Sequence, residues 1–166
     1  MGFVGVRAWR DRGAFRRWGF RTDNLRRAVP ISAVLFVLIA AGLAGYGRLH
    51  GTLRWPSHLG LLLLLYPLWG VIQQFLVLGV VLSNLERLPV LHHRRALLML
   101  LVAGLFGLVH ADTPLVAAGV FFLELVLMPL YLVYRNLWPL GVLHGWLGGL
   151  FYLWVLGRDL WAENFG

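Results

Sequence analysis

Five amide, imidazole or carboxyl side chains interrupt the long apolar stretches of this 166-residue chain: Gln73, Gln74, His110, Glu124 and His144. Primary amides and ionisable groups are costly in hydrocarbon, so they usually face a cavity or a polar partner. Two amides, two imidazoles and a carboxyl group are the composition of a buried site that orients water or transfers protons. We therefore predict that the amides and the imidazoles line a common pocket within the bilayer.

Each of these side chains also has a simpler interpretation. A single histidine inside a membrane helix often does no more than hydrogen-bond a neighbouring carbonyl group. Glu124 belongs to a helical stripe at three-to-four spacing, whose other members are Met128, Tyr131 and Arg135. In that position Glu124 can be a protonated structural partner of a hydroxyl group or a functional acid, and the sequence leaves both roles open.

The composition places the chain in a membrane. Hydrophobic residues make up 60% of it and the mean hydropathy is +0.75, whereas soluble globular proteins contain roughly 45–50% apolar residues. The chain contains no cysteine, which excludes disulfides, thiolate metal sites and a cysteine nucleophile. Nothing in the composition calls for a cofactor.

Five apolar stretches must position the polar residues, and each is a candidate membrane segment because a spanning helix needs about 20 residues. They cover residues 31–46, 59–82, 96–111, 115–134 and 137–157. The first and third are short. The sequence therefore predicts an all-α, polytopic transmembrane helix bundle with about five membrane segments, or four and an interfacial helix. It forms one domain, 30–157, between a basic amphipathic arm, 1–29, and a short tail, 158–166.

The net charge of +8 is concentrated in the N-terminal arm. Eight of its arginines precede the first apolar stretch: Arg7, Arg10, Arg12, Arg16, Arg17, Arg21, Arg26 and Arg27. Basic residues beside a hydrophobic segment are typical of contact with lipid headgroups and of a cytoplasmic loop, more than of nucleic-acid binding. We predict a cytoplasmic N-terminus, no nucleic-acid partner and an integral protein of the bacterial plasma membrane.

Three sequence elements resemble a known family. "FGLVH" (106–110), which contains Phe106 and His110, matches the Phe-x-x-x-His motif of the CAAX-protease and bacteriocin-processing family (CPBP, or Abi) of intramembrane glutamate proteases. "NLWPLGVLHGWLGG" (136–149) is similar to the stretch that carries the family's His-x-x-x-Asn motif, with His144 as its histidine. "RWGFRTDNLRRA" (17–28) resembles the family's N-terminal elbow. The resemblance implies a helical membrane fold and endopeptidase activity.

The chain departs from this pattern at the positions that carry the chemistry. The family's first motif, Glu-Glu-x-x-x-Arg, is replaced by "QQFLVL" (73–78), so that Gln73 and Gln74 stand for the acids and Leu78 for the arginine. Gly148 stands for the asparagine of the third motif. The resemblance implies that the first acid activates water while the histidines and the asparagine position it and stabilise an oxyanion. An amide has no useful basicity, and Leu78 avoids an unpaired buried cation.

The sequence leaves three functions open. It therefore does not decide whether the chain is an enzyme. An endopeptidase with altered chemistry would act on a membrane-anchored peptide or protein and take its base from His110, His144, Glu124 or Asp112. A catalytically silent member would bind or regulate such a peptide or protein, since loss of a general base lowers the rate about 10²–10⁴-fold. A metal or proton site is the weakest alternative, because the spacing of the histidines does not favour a ligand pair.

Overall fold

The computed structural model describes residues 13–165, apart from the side chains of residues 92, 164 and 165. The fold is all-helical, with 78% helix and no strand in the described part. This confirms the predicted fold class. Residues 1–12 of the predicted basic arm, including Arg7, Arg10 and Arg12, lie outside the described residues.

The helices follow the apolar stretches of the sequence and are named here in chain order. They are α1 (Ala14–Arg17), α2 (Leu25–Leu49), α3 (Leu59–Gln74), α4 (Ser83–Leu85), α5 (Pro89–His92), α6 (Arg95–Val109), α7 (Pro114–Tyr134), α8 (Leu137–Trp154) and α9 (Leu160–Phe165). A π-helical segment, Phe75–Leu82, joins α3 to α4 without a break. Pro114 is the first residue of α7, where proline costs no intrahelical hydrogen bond.

The first membrane segment is longer than predicted. Helix α2 has 25 residues and begins at Leu25, six positions before the predicted start at residue 31. The residue before the helix, Asn24, donates from its side-chain Nδ2 to the carbonyl of Tyr134 at 2.6 Å. The third segment is short, as predicted, because α6 has only 15 residues.

Among the described residues, three helices are long and apolar enough to cross a membrane: Leu25–Leu49, Leu59–Leu85 and Pro114–Tyr134. Helix α6 is apolar but shorter, and α8 is not among the three. All five predicted stretches are therefore helical, and the chain is a polytopic helical membrane protein. The number of spans, four or five, stays a prediction.

The chain divides into two compact units. The first contains residues 1–25 and 74–138, and its buried core lies along one face of α7 and the π-helical segment. The fully buried members of this core include Leu78, Leu82, Leu127, Met128 and Tyr131. Helices α6 and α7 pack closely, since a Cβ added to Gly107 would lie 3.2 Å from the Ala117 carbonyl oxygen.

The second unit contains residues 26–73 and 139–166, and is built from α2, α3, most of α8 and α9. Its core is the C-terminal half of α8, where Leu150, Leu153 and Trp154 are buried. Side chains from α2 and α3, among them Phe36, Leu43 and Leu63, pack against them. The Trp154 indole also donates to the Arg54 carbonyl at 2.9 Å, which holds the loop before α3 on this core.

Candidate active site

The two adjacent glutamines stand where the helix changes its winding. Helix α3 ends at Gln74, and the π-helical turns begin at Phe75. Consecutive residues of an α-helix point about 100° apart, so Gln73 and Gln74 meet different surroundings. Segments of π-helix are rare and occur often at functional sites. Sequence periodicity did not reveal this one, because Phe75–Leu82 is uniformly apolar.

Gln73 pairs with His144 in the second unit. The amide oxygen Oε1 of Gln73 lies 3.2 Å from Nε2 of His144. An amide oxygen only accepts hydrogen bonds, so Nε2 of His144 carries the proton and donates it. His144 is 4% exposed and Gln73 is half-buried. The pair joins the first and third sequence motifs, which are 71 residues apart.

A row of glycines brings α8 close enough to α3 for this contact. Gly141, Gly145 and Gly149 recur every four residues, and His144 lies beside the middle one. A Cβ on Gly145 would lie 2.5 Å from the Tyr66 carbonyl oxygen, and one on Gly141 would lie 2.6 Å from Cα of Val71. Small residues at this spacing let membrane helices approach closely. The spacing was readable in the sequence, but our predictions missed it.

Gln74 pairs with Glu124 in the first unit. Its amide Nε2 donates to Oε2 of Glu124 at 2.8 Å, and both side chains are fully buried. The second oxygen of Glu124, Oε1, has no hydrogen-bond partner in the described structure. Glu124 therefore has an amide as its partner, not the hydroxyl group that one alternative predicted.

Leu78 lies one turn beyond Gln74 and is completely buried. Near it, a chain of hydroxyl contacts crosses the first unit. The Ser83 hydroxyl donates to the Leu78 carbonyl at 3.0 Å and lies 3.2 Å from the Tyr131 hydroxyl. Tyr131 donates in turn to the Trp18 carbonyl at 3.0 Å. These hydrogen bonds between uncharged groups lie near Leu78, the position where the family resemblance expects an arginine.

His110 ends helix α6 and is half-buried. Its Nδ1 lies 2.9 Å from the Phe106 carbonyl oxygen, and the two rings meet edge to face at 4.9 Å. Because a carbonyl oxygen only accepts, Nδ1 carries a proton, and in the neutral imidazole Nε2 is then the nitrogen with the lone pair. Phe106, the other residue of the second motif, is buried and orients the imidazole. The hydrogen bond of His110 goes to Phe106 and not to Gln74 or Glu124.

Gly148 and Asp112 were also predicted as positions of the site, and the structure places them in different surroundings. Gly148, which stands for the family's asparagine, is half-buried, and a Cβ built on it meets nothing within 4 Å. A larger residue there would fit without moving the backbone. Asp112 is exposed beyond the end of α6. In the described part of the chain, no three histidine, aspartate or glutamate side chains are grouped to hold a metal ion.

A network at the N-terminal elbow was also not predicted from the sequence. Gly19 adopts a positive φ of 102°, and its carbonyl accepts a hydrogen bond from the Leu137 amide at 2.8 Å. The buried Asn136 donates to Asn24 Oδ1 at 2.7 Å and to the Arg21 carbonyl at 3.0 Å. The elbow is thus fastened to the junction between α7 and α8, and its resemblance to the family's elbow stays a prediction.

Ion pairs anchor the same junction. Arg135, in the left-handed conformation at φ 47°, contacts both carboxylate oxygens of Glu86 at 2.7 Å. The hydrogen bonds to Glu86 raise the pKa of Arg135. In the elbow, the hydrogen bond from Arg21 lowers the pKa of the exposed Asp23 carboxyl from 3.8 to about 2. Asp23 is therefore charged near neutral pH, and Glu86 is held by two hydrogen bonds from Arg135.

The structure thus brings the predicted residues together as two pairs, Gln73 with His144 and Gln74 with Glu124. The pairs belong to different units, and His110 makes its contact within its own helix. That all of these side chains share one pocket stays a prediction. The Gln73–His144 pair can hold a polar group by hydrogen bonds, whereas the Gln74–Glu124 pair is fully buried.

Helices of spanning length define a polytopic membrane protein, and its helices carry buried amide, imidazole and carboxyl groups. Residues 54–150, more than half of the chain, match the family described as type II CAAX prenyl endopeptidase Rce1-like. The chain belongs to this family. The match includes all three motifs and ends before α8 does, while the elbow lies outside it. No curated protein and no solved structure gives a significant match.

Proposed function

We propose that this chain is a non-proteolytic member of its family, a pseudoenzyme that binds a membrane-anchored peptide or protein without cleaving it. The observation that carries the proposal is the hydrogen bond from His144 to Gln73. Gln73 stands where the family resemblance expects the water-activating acid. Its amide keeps the hydrogen bond to the imidazole but has no acceptor of useful basicity.

The same hydrogen bond limits what His144 can do. Its Nε2 donates to Gln73, so that nitrogen has no lone pair with which to accept a proton from water. Gln73 and His144 can still bind the carbonyl or amide of a peptide. General-base assistance contributes about 10²–10⁴-fold to a rate, so a site with this pair alone would bind far better than it would turn over.

The two carboxylates considered as replacements for the missing base are poorly placed for that role. Glu124 is 0% exposed and hydrogen-bonded to Gln74, whereas a general base must come within hydrogen-bond reach of its water. Asp112 is exposed beyond α6 and belongs to none of the described hydrogen bonds of the site.

One observation favours a second candidate, an endopeptidase with altered chemistry. His110 is half-buried, and its proton on Nδ1 leaves Nε2 as a neutral base. A histidine can serve as a general base near neutral pH because its ordinary pKa is about 6.5. In this candidate His110 would activate the water, and Gln73 and His144 would bind the scissile carbonyl.

The proposed location is the bacterial plasma membrane with the N-terminus in the cytoplasm. Supporting this orientation, the arginines cluster in the elbow and in the loop 86–95, as the positive-inside rule expects for cytoplasmic segments. The partner would then present its anchored end within the same membrane.

Purified full-length protein in liposomes would test the proposal with a fluorescent prenylated peptide, measuring binding by anisotropy and cleavage by mass spectrometry. We expect the wild type to bind without turnover. His144→Phe should weaken binding, whereas Ile72→Leu, on the exposed face of α3, should not. Turnover by the wild type that is lost in His110→Ala would overturn the proposal in favour of the second candidate.

A gain-of-function variant provides the converse test. Gln73→Glu with Gln74→Glu, Leu78→Arg and Gly148→Asn restores the family pattern, and the open space at Gly148 accepts the asparagine. Cleavage that appears only in this variant would support a silent wild type. Absence of both binding and cleavage in the wild type would contradict both candidates.

A further inference from the structure

The loop 86–95 joins the ends of two membrane helices. The spanning helix Leu59–Leu85 ends immediately before it, and α6 begins at Arg95 and becomes apolar at once. Residues within a few positions of two such ends must lie near the level of the lipid headgroups. The loop contains one acid, Glu86.

 The arginines of the loop are Arg87, Arg94 and Arg95. A further arginine, Arg135, follows the end of α7 and contacts Glu86.

The only acid of this loop is already neutralised. Glu86 binds Arg135 through both carboxylate oxygens at 2.7 Å. The neighbouring acid of the elbow, Asp23, is likewise paired with Arg16 and Arg21. Arg87, Arg94 and Arg95 are exposed and have no ion-pair partner among the described residues. Three uncompensated cations therefore lie close together in sequence at the level of the headgroups.

Local helix stability does not explain two of these cations. Arg94 is the N-cap of α6 and Arg95 its first residue. Positive charge at a helix N-terminus is unfavourable because the helix dipole is positive there. Their placement therefore costs helix stability, and an external anion would offset that cost.

The loop also has apolar side chains that suit a membrane surface. Leu88 is 47% exposed and Val90 is 69% exposed, on either side of Pro89. Exposed apolar residues between arginines are typical of segments that insert side chains among lipid headgroups. A soluble anion would gain no binding energy from these exposed apolar side chains.

We infer that Arg87, Arg94 and Arg95 form a binding site for the headgroup phosphate of anionic phospholipids. Exposed Leu88 and Val90 would insert between the adjacent acyl chains. Each arginine near a negatively charged membrane surface contributes about fivefold to the association constant. The site would make this unit of the protein select anionic lipids from its bilayer.

The test measures lipid selectivity of the full chain in mixed bilayers, with spin-labelled phosphatidylglycerol and phosphatidylcholine. We expect the wild type to retain phosphatidylglycerol several-fold more strongly than phosphatidylcholine. The variant R87Q/R94Q/R95Q should lose most of this preference. The control R48Q/R54Q/R158Q changes three other exposed arginines and should keep most of it. Equal retention of the two lipids by the wild type, or equal losses in the two variants, would overturn the inference.

Two further measurements complete the test if the triple variant does not fold. Raising the salt concentration to about 1 M shortens the Debye length to roughly 3 Å and should reduce the preference of the wild type. Addition of 10 mM inorganic phosphate at constant ionic strength should leave it unchanged if a lipid headgroup is the ligand. A preference that survives 1 M salt, or that free phosphate abolishes, would contradict a lipid site of this kind.

Discussion

Gln73 and Gln74 are neighbours in the chain, yet they differ in burial, in hydrogen-bond partner and in whether the amide donates or accepts. Gln73 is half-buried and accepts a hydrogen bond from His144, whereas Gln74 is fully buried and donates one to Glu124. The first pair contains no formal charge when the imidazole is neutral, and the second contains a carboxyl group without a cation partner. Identical residues therefore occupy different environments: Gln73 is partly accessible, and Gln74 belongs to the buried core.

The largest effect that would separate the two positions is expected from Gln74→Glu. It replaces the donor Nε2 by a second carboxyl group against Glu124, in a site that excludes water. We expect the free energy of unfolding to fall by about 3 kcal/mol. Chemical unfolding in detergent micelles, followed by tryptophan fluorescence, would measure it.

Two variants sharpen this prediction. Gln73→Glu, one residue earlier, should lower the free energy of unfolding by less than half as much, because Gln73 is half-buried and faces an imidazole. The swap Gln74→Glu with Glu124→Gln keeps one amide and one carboxyl group and should recover most of the loss. Equal costs at positions 73 and 74 would remove the distinction between the pairs.

The next effect concerns the glycines that bring His144 to Gln73. Gly145→Val adds atoms where a Cβ already lies 2.5 Å from the Tyr66 carbonyl oxygen, so the two helices must separate. We expect a loss of about 2 kcal/mol in unfolding free energy, together with weaker peptide binding. Gly148→Ala, three residues further, meets open space and should change stability by no more than about 0.5 kcal/mol.

A smaller effect is expected from the Gln73–His144 hydrogen bond itself. Gln73→Leu and His144→Phe should each lower the free energy of unfolding by about 1 kcal/mol. In a double-mutant cycle the two changes should be coupled, since each removes the partner of the other. Additive costs would show that the hydrogen bond contributes nothing to the folded protein in solution.

The smallest effect is expected from pH at the elbow. The pKa of Asp23 is lowered from 3.8 to about 2 by its hydrogen bond with Arg21. A carboxyl group with a lowered pKa stabilises the fold above its ordinary pKa, and that contribution disappears as the pH falls through the folded value. The melting temperature of the wild type should therefore fall slightly more than that of Asp23→Asn between pH 4 and pH 2. Identical pH profiles would contradict a stabilising role for the pair.

Much of the architecture followed from hydrophobic patterning. Each of the five apolar stretches is a helix, because a chain in hydrocarbon must satisfy its backbone hydrogen bonds internally. The predicted stripe of Glu124, Met128 and Tyr131 is buried. The start of α2 was placed too late, since the helix includes residues 25–30, where Arg26 and Arg27 interrupt the apolar pattern.

Residue type and spacing were enough to single out the polar side chains of the site and the motifs of the family. They did not reveal which partner each side chain has. Sequence spacing fixes neighbours within one helix, but contacts between helices depend on winding and packing distance. The π-helical turns after Gln74 and the glycines of α8 decide those contacts, and the turns left no periodic signal.

By itself, the sequence determined that this protein is a helical membrane protein, which amide and ionisable side chains interrupt its apolar stretches, and where its positive charge lies. These properties depend on composition and on local order along the chain. Only the tertiary structure decided that Gln73 pairs with His144 and Gln74 with Glu124. The reason is that a hydrogen bond between distant residues requires close approach of two helices, which the packing of the folded chain sets.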